Sequence, residues 1–279
     1  MPSIAEKRRE FRRLHEGGCF ILPNPWDVGT ARYLQSLNFK ALATTSAGFA
    51  FAQGYPDNGV TRQMVLNHVR EIVEATDVPV NADFEGGFAH EPVGVAESVR
   101  LCTETGVAGL SIEDSTGDAA KPLYDFDLAV ARIRAARKAI DKSGADVVFT
   151  ARHEGFLVGK PDLDEAIKRL KAFSDAGADC LYAPGLRTRD QIAAVIEAVK
   201  PKPVNIIIAW KTELTFKDIA ALGARRISIG SALSRVAWGA FVRASKELAE
   251  RGTFDNFADA AVSADLNKLF KEDLKRRGL

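Results

Sequence analysis

Thr105-Gly106-Val107-Ala108-Gly109-Leu110-Ser111-Ile112-Glu113-Asp114 closes a helix, turns, runs through an apolar strand and stops on two acids. Gly106 suits the left-handed cap that ends a helix and sends the chain toward a sheet. The same phrase recurs around Asn38, Gly144, Gly177 and Gly223, each followed within a few residues by an apolar β-like run. Two more runs enter after proline, at Val78-Pro79-Val80-Asn81-Ala82 and Lys202-Pro203-Val204-Asn205-Ile206-Ile207. Cys19-Phe20-Ile21-Leu22 opens the series.

Amphipathic helices lie between these runs. One carries Val65, Val69, Ile72 and Val73 on a single face, and another Ile192, Val195, Ile196 and Val199. Short strands alternating with such helices mean βαβ units and a parallel sheet. About eight units in about 230 residues predict an α/β fold of the (β/α)8 TIM barrel type. The alternative, an open doubly wound sheet, would place a glycine-rich turn after its first strand. Pro23-Asn24-Pro25-Trp26-Asp27 stands there instead. Residues 1–279 read as a single barrel domain. The region from about 231 to 279 is helical by pattern, breaks at Gly252-Thr253 and exceeds what one barrel helix needs. Its surplus, roughly 254–274, is expected to pack outside the barrel or on a partner subunit.

The 279 residues are 46% hydrophobic and 27% charged, with a formal net charge of +1. So small a charge gives no long-range attraction for nucleic acid or an anionic membrane. No apolar stretch reaches the length of a membrane span. The first nine residues are charged and lack the apolar core of a signal peptide. Cys19, Cys102 and Cys180 sit far apart in apolar runs and read as reduced core thiols. The expectation is a cytoplasmic protein with no nucleic-acid and no membrane partner.

In a barrel of this kind, chemistry gathers at the carboxyl ends of the strands. Asp83 and Glu85 stand two apart at one strand end, Glu113 at the next, and Asp57 in the loop 54–59 after the second strand. Carboxylates converging there repel unless a cation sits among them, and Mg²⁺ suits oxygen ligands. The alternative is that they are loop acids paired with nearby Lys or Arg. Arg152 ends another strand and can clamp a substrate carboxylate, form an internal ion pair, or do both. Thr44-Thr45-Ser46-Ala47-Gly48 offers backbone N–H groups as an anion nest, or is a plain turn. Asn205 can bind an oxyanion or carboxylate. The N–H groups at Gly230-Ser231 favour an anion, although the Ser231 hydroxyl also suits an N-cap. His15 and His68 fall in helices and are expected at the surface, while His90 and His153 lie close enough in sequence to the acidic loop and Arg152 to touch the site. No Cys-x-x-Cys, P-loop, Gly-x-Ser-x-Gly or dinucleotide fingerprint is present.

Taken together, these residues resemble the isocitrate lyase / phosphoenolpyruvate mutase superfamily. The likeness runs from about Phe11 to about Leu248 and is carried by 44–48, 54–57, 81–88, Ile112-Glu113-Asp114, Ala151-Arg152, Pro203-Val204-Asn205 and 229–233. It implies a barrel whose last helix is swapped between subunits of a homo-oligomer, a dimer or a homotetramer. It implies Mg²⁺, with Mn²⁺ as a substitute, held largely through water by Asp83, Glu85 and Glu113, with Asp57 nearby. Thr45, Ser46 and the backbone of Ala47 and Gly48 would hold a substrate carboxylate, with Arg152 closing the other side and Asn205 and Ser231 adding donors. Catalytic roles would fall to Asp57, Glu113 and Arg152.

The implied activity is lyase chemistry on a small 2-oxo or 2-hydroxy carboxylate, by C–C cleavage or decarboxylation through a pyruvate enolate-like intermediate. Carbon–phosphorus chemistry of the phosphonopyruvate hydrolase or mutase type is the alternative, and an inactive binding protein a third. The tricarboxylate lyases carry Lys-Lys-Cys-Gly-His after the Glu113 strand, where this chain has 115–124 without a cysteine. They also place a Glu where this chain has Tyr182-Ala183-Pro184-Gly185. The mutase's gating loop is not recognisable. The chain therefore resembles the branch that is neither.

Overall fold

All five predicted cap residues adopt positive φ in the computed structural model, which describes residues 2–278: Asn38 at 66°, Gly106 at 89°, Gly144 at 66°, Gly177 at 103° and Gly223 at 98°. Each lies between a helix and the strand that follows it, so the repeated phrase in the sequence is the repeated αβ turn of the fold. The strands are β1 (Phe20–Leu22), β2 (Leu42–Ala43), β3 (Val80–Asp83), β4 (Gly109–Glu113), β5 (Val148–Arg152), β6 (Cys180–Tyr182), β7 (Val204–Ile207) and β8 (Arg226–Ser228). All are parallel and ordered β1-β8-β7-β6-β5-β4-β3-β2. The two remaining edges meet where Ala43 N–H donates to Pro23 O at 3.0 Å. The sheet is thus a (β/α)8 barrel.

Eleven helices surround it among the described residues: α1 (Ile4–Leu14), α2 (Val28–Ser36), α3 (Ser46–Ala52), α4 (Arg62–Ala75), α5 (Pro92–Glu104), α6 (Phe126–Ser143), α7 (Leu163–Asp175), α8 (Arg189–Val199), α9 (Phe216–Ala221), α10 (Ala232–Arg251) and α11 (Ser263–Arg277). The predicted faces on α4 and α8 are buried against the sheet, each large side chain contributing about 1.5–3 kcal/mol on burial. Inside the barrel, small residues such as Ala41, Ala43 and Ala108 leave room for Phe11, which α1 inserts from below. Gly109 makes that insertion possible, because a Cβ there would lie 2.5 Å from the Phe11 ring.

Two histidines depart from expectation. His15 is buried, edge-on to Phe11 and Phe20, with Nδ1 2.7 Å from Phe11 O. Burial, then the nearby Arg226, pushes it down to about 3. The reason is that the end of α1 tucks under the barrel instead of facing solvent. His68 is also buried, stacked on Phe49 at 4.0 Å, and burial lowers it to about 4. It lies three residues after Val65 and four before Ile72, on the same apolar face, so the spacing already marked it as a core residue.

The C-terminal region breaks where predicted, with Gly252 at φ 66°. After a 3-10 turn (Asp255–Asp259), α11 lies outside the barrel against α2 of its own chain. Arg32 to Asp273 at 3.4 Å and Arg276 to Asp77 at 2.5 Å tie it down. Helix α10 keeps Val236, Trp238, Phe241 and Val242 exposed. Among the described residues no helix is long and apolar enough to cross a membrane.

Candidate active site

Three adjacent strands deliver Asp83, Glu113 and Arg152 to the same end of the barrel. Glu113 is directly in register with Arg152 across the β4–β5 pair. The guanidinium nitrogen Nη1 of Arg152 lies 3.3 Å from Asp83 Oδ1 and 3.4 Å from Glu113 Oε2. Its Nε donates to Glu154. One cation therefore bridges three carboxylates, so the internal ion-pair reading of Arg152 holds in this structure. Asp83 Oδ2 also accepts from the Ser46 N–H at 3.0 Å, which ties the start of α3 to the end of β3.

Glu85 follows in a turn with φ 49°, a left-handed conformation unusual for a residue with a side chain. It is buried and its Oε1 has no hydrogen-bond partner. Burial first, then Asp83 and Asp57, raises its carboxyl to about 8. Burial also pushes Glu113 well above the carboxylate range, with Arg152 opposing and Glu154, Asp83 and Glu85 adding. For Arg152, burial alone would lower the guanidinium, but Glu154, Glu113 and Asp83 overturn it and hold it well above its ordinary value. Asp57 is raised by its partly buried position against the site and by Asp83. Its residue is exposed on its loop, so solvent keeps that effect modest.

These groups border a cavity of about 340 Å³ at the mouth of the barrel. Thr45, Ser46, Ala47, Asp57, Asp83, Arg152, Asn205 and Ser231 line it. Glu85 and Glu113 stand just behind Asp83 and outside the lining. Gly48 lies deeper, with its N–H directed to the N-cap Thr45 Oγ1 at 3.3 Å. The predicted nest is thus the first turn of a short helix. Ser231 makes no side-chain cap bond, and the N–H groups of Ile229 and Gly230 donate to Asn24 Oδ1 at 2.9 Å each. Asn205 accepts from Arg226 Nε at 3.0 Å and donates to Ser228 Oγ at 2.9 Å. Larger surface depressions occur between α1, α2 and α11 and beside α5 and α6, but they hold none of the strand-end residues.

The donor set fits a divalent cation. Among the described residues, Asp83, Glu113 and Glu154 pair with Arg152 alone, Asp57 and Glu85 stand near them, and one buried carboxylate oxygen, Glu85 Oε1, has no hydrogen-bond partner. Among the described residues no three His, Cys, Asp or Glu side chains converge as a ready metal cage. Separated carboxylates suit an ion that keeps its waters. The raised Glu85 makes this testable. Between about 4.5 and about 8 the folded protein holds a proton that the unfolded chain has released. Stability present at low pH is therefore lost as pH rises through the folded value. Glu85→Gln is expected to raise the Tm of the metal-free protein by about 2–5 °C near pH 9 and to change it little near pH 5. An equal shift at both values would contradict the assignment.

Several supporting contacts could not be read from any motif. Arg132, fully buried on α6, donates to the carbonyls of Gly86, Ala89 and His90 and so pins the turn that follows Glu85. Asp114 accepts from the Glu154 N–H at 2.9 Å and from Arg169 at 3.0 Å, and lies 2.7 Å from His153 Nδ1. His153 thus faces this internal network, and His90 faces the Tyr124 hydroxyl at 2.6 Å; neither lines the cavity. Only a spatial view joins α6 and α7 to these loops, because the contacts span tens of residues.

A family model described as phosphoenolpyruvate phosphomutase matches residues 11–249. An oxaloacetate decarboxylase from Paraburkholderia xenovorans LB400 is 30% identical over 236 residues, covering 81% of this chain and 76% of that protein. A solved Burkholderia cenocepacia J2315 protein, provisionally classed as a lyase/mutase, is 47% identical with a TM-score of 0.91, covering 96% of both chains. Oxaloacetate acetylhydrolase in complex with its product oxalate has a TM-score of 0.86 at 25% identity, covering 100% of this chain and 99% of that one. The chain belongs to the phosphoenolpyruvate phosphomutase family, within the isocitrate lyase / phosphoenolpyruvate mutase superfamily, and is an enzyme of its lyase group.

Proposed function

We propose that the chain cleaves or decarboxylates a small 2-oxo or 2-hydroxy carboxylate through a pyruvate enolate-like intermediate, with Mg²⁺ as cofactor and Mn²⁺ as a substitute. The observation that carries this reading is the sharing of one Arg152 nitrogen between Asp83 and Glu113 at adjacent strand ends. Asp83, Glu85 and Glu113 would hold the ion, which when bound supplies positive charge against a developing oxyanion. Arg152 pairs with the substrate carboxylate on one side of the cavity. The Ser46 hydroxyl and the backbone at Ala47 meet it on the other, with Thr45 and Gly48 shaping that turn. Asn205 and Ser231 add donors from the opposite wall. Asp57 borders the cavity, its carboxyl raised by burial against the site and by Asp83, and is the acid placed to exchange a proton with the substrate. The relatives that act on oxaloacetate support a small acid as substrate.

The test is a panel of oxaloacetate, substituted malates, methylisocitrate and phosphonopyruvate with Mg²⁺, read by coupling pyruvate to lactate dehydrogenase. Pyruvate from oxaloacetate or a malate is the expected result. Pyruvate with phosphate from phosphonopyruvate would move the assignment to carbon–phosphorus chemistry. Silence throughout, with no oxalate binding by calorimetry, would leave a binding role. The free thiols agree with a cytoplasmic setting. The exposed apolar face of α10 supports a homo-oligomer, dimer or tetramer, built on that helix and completed by exchange of C-terminal helices. Sedimentation of the same preparation at the mass of one chain would remove the assembly.

A further inference from the structure

The cavity is divided by charge. Asp57 and Asp83 form one wall, with Glu85 and Glu113 behind. Four arginines reach the same cavity: Arg152, Arg187, Arg226 and Arg235. Among the described residues, of these four only Arg152 is held by carboxylates, those of Asp83, Glu113 and Glu154. Arg187 lies over the Trp210 ring at 4.3 Å, and its described contacts include no acid. Arg235 donates to the carbonyl of Ala209, one residue earlier, and likewise has no acid partner among the described residues. The two guanidiniums therefore flank the segment that follows β7. Beneath them, Arg226 is buried among neutral groups: Asn205 at 3.0 Å, Thr150 at 2.9 Å, and Asn81 and His15 at 3.4 Å.

A buried cation with neutral partners leaves positive potential that a nearby anion can satisfy. Exposed arginines with no acid partner offer planar, two-pronged donors for an oxyanion. The acidic wall repels anions, so a substrate with one acid group at that wall has its second group driven to the other side. We propose that Arg187 and Arg235, backed by Arg226, form a distal subsite for the second oxyanionic group of a dianionic substrate, a carboxylate or a phosphonate. This deepens the functional reading above and rests on it. Arg187 and Arg235 then favour acids long enough to carry a second anionic group across the cavity, while the acidic wall retains the reacting end.

The test compares binding of oxalate, which is too short to reach both walls, with binding of malate and of phosphonopyruvate. Calorimetry in Mg²⁺ is run on the wild type, Arg187→Met, Arg235→Met and the double variant. Both positions are exposed, so folding is checked simply by melting. The double variant is expected to lose about ten- to a hundredfold in malate affinity and less than about twofold for oxalate. The same loss for phosphonopyruvate alone would identify the group as a phosphonate. Unchanged affinity for both longer ligands, with oxalate still bound, overturns the distal subsite and leaves the functional reading standing. Equal losses for oxalate and malate also overturn it, by placing the arginines at the reacting end. If the wild type binds none of the three, the functional reading fails and the subsite with it.

Discussion

Arg152→Met is expected to lower the unfolding free energy of the metal-free protein by about 3–5 kcal/mol and to abolish measurable turnover. The side chain is replaced by one of similar length without charge. Asp83, Glu113 and Glu154 then lose the guanidinium that bridges them. Removing one partner of a buried pair is costly because the other charge remains buried and uncompensated. The carboxyls escape part of this by taking up protons, and Glu113 and Glu154 are already held above their usual range, by burial first in each case. The loss should therefore grow as pH rises. Mg²⁺ should restore part of the stability and none of the activity, since it can neutralise the acids but cannot clamp a carboxylate. Urea melts at two pH values with and without Mg²⁺ check this. A loss below about 1 kcal/mol at neutral pH would mean that the acids are solvated well enough to need no cation.

Glu113→Gln is expected to reduce kcat/KM by at least about a hundredfold while leaving the fold and Tm intact. The amide keeps the shape of the side chain and its place opposite Arg152 at the end of β4. It removes a charge that burial already disfavours, so stability should hold or rise slightly. What it takes away is one anionic oxygen donor and the charge balance around Arg152. The loss should be accompanied by weaker Mg²⁺ binding, measured by calorimetry. Retained activity in this variant would remove the role assigned to Glu113.

The barrel was legible in the sequence because its turns repeat a local rule. A Gly or Asn that must leave the right-handed region, followed at once by an apolar run, needs only neighbouring residues to be read. All five such residues have positive φ. The carboxylates and Arg152 were legible for a related reason, since polar residues that end apolar strands have one place to go in a barrel. What the sequence did not disclose lies in contacts between distant elements. Arg132 reaches the turn after Glu85 across more than forty residues, and Asp114 gathers Glu154, His153 and Arg169. His68 shows a different failure, where residue type outweighed a helical spacing that already placed it inside.

The closure of the barrel has a temporal consequence. Asn24 near the beginning of the chain receives the N–H groups of Ile229 and Gly230, more than two hundred residues later. Strand β1 pairs with β8, and Phe11 seals the floor that later strands surround. As the chain leaves the ribosome, its earliest segments must wait, apolar faces exposed, until the last stave arrives. Contacts this remote in sequence are slow to form. The barrel, and with it the site at its mouth, is therefore complete only once β8 has joined β1.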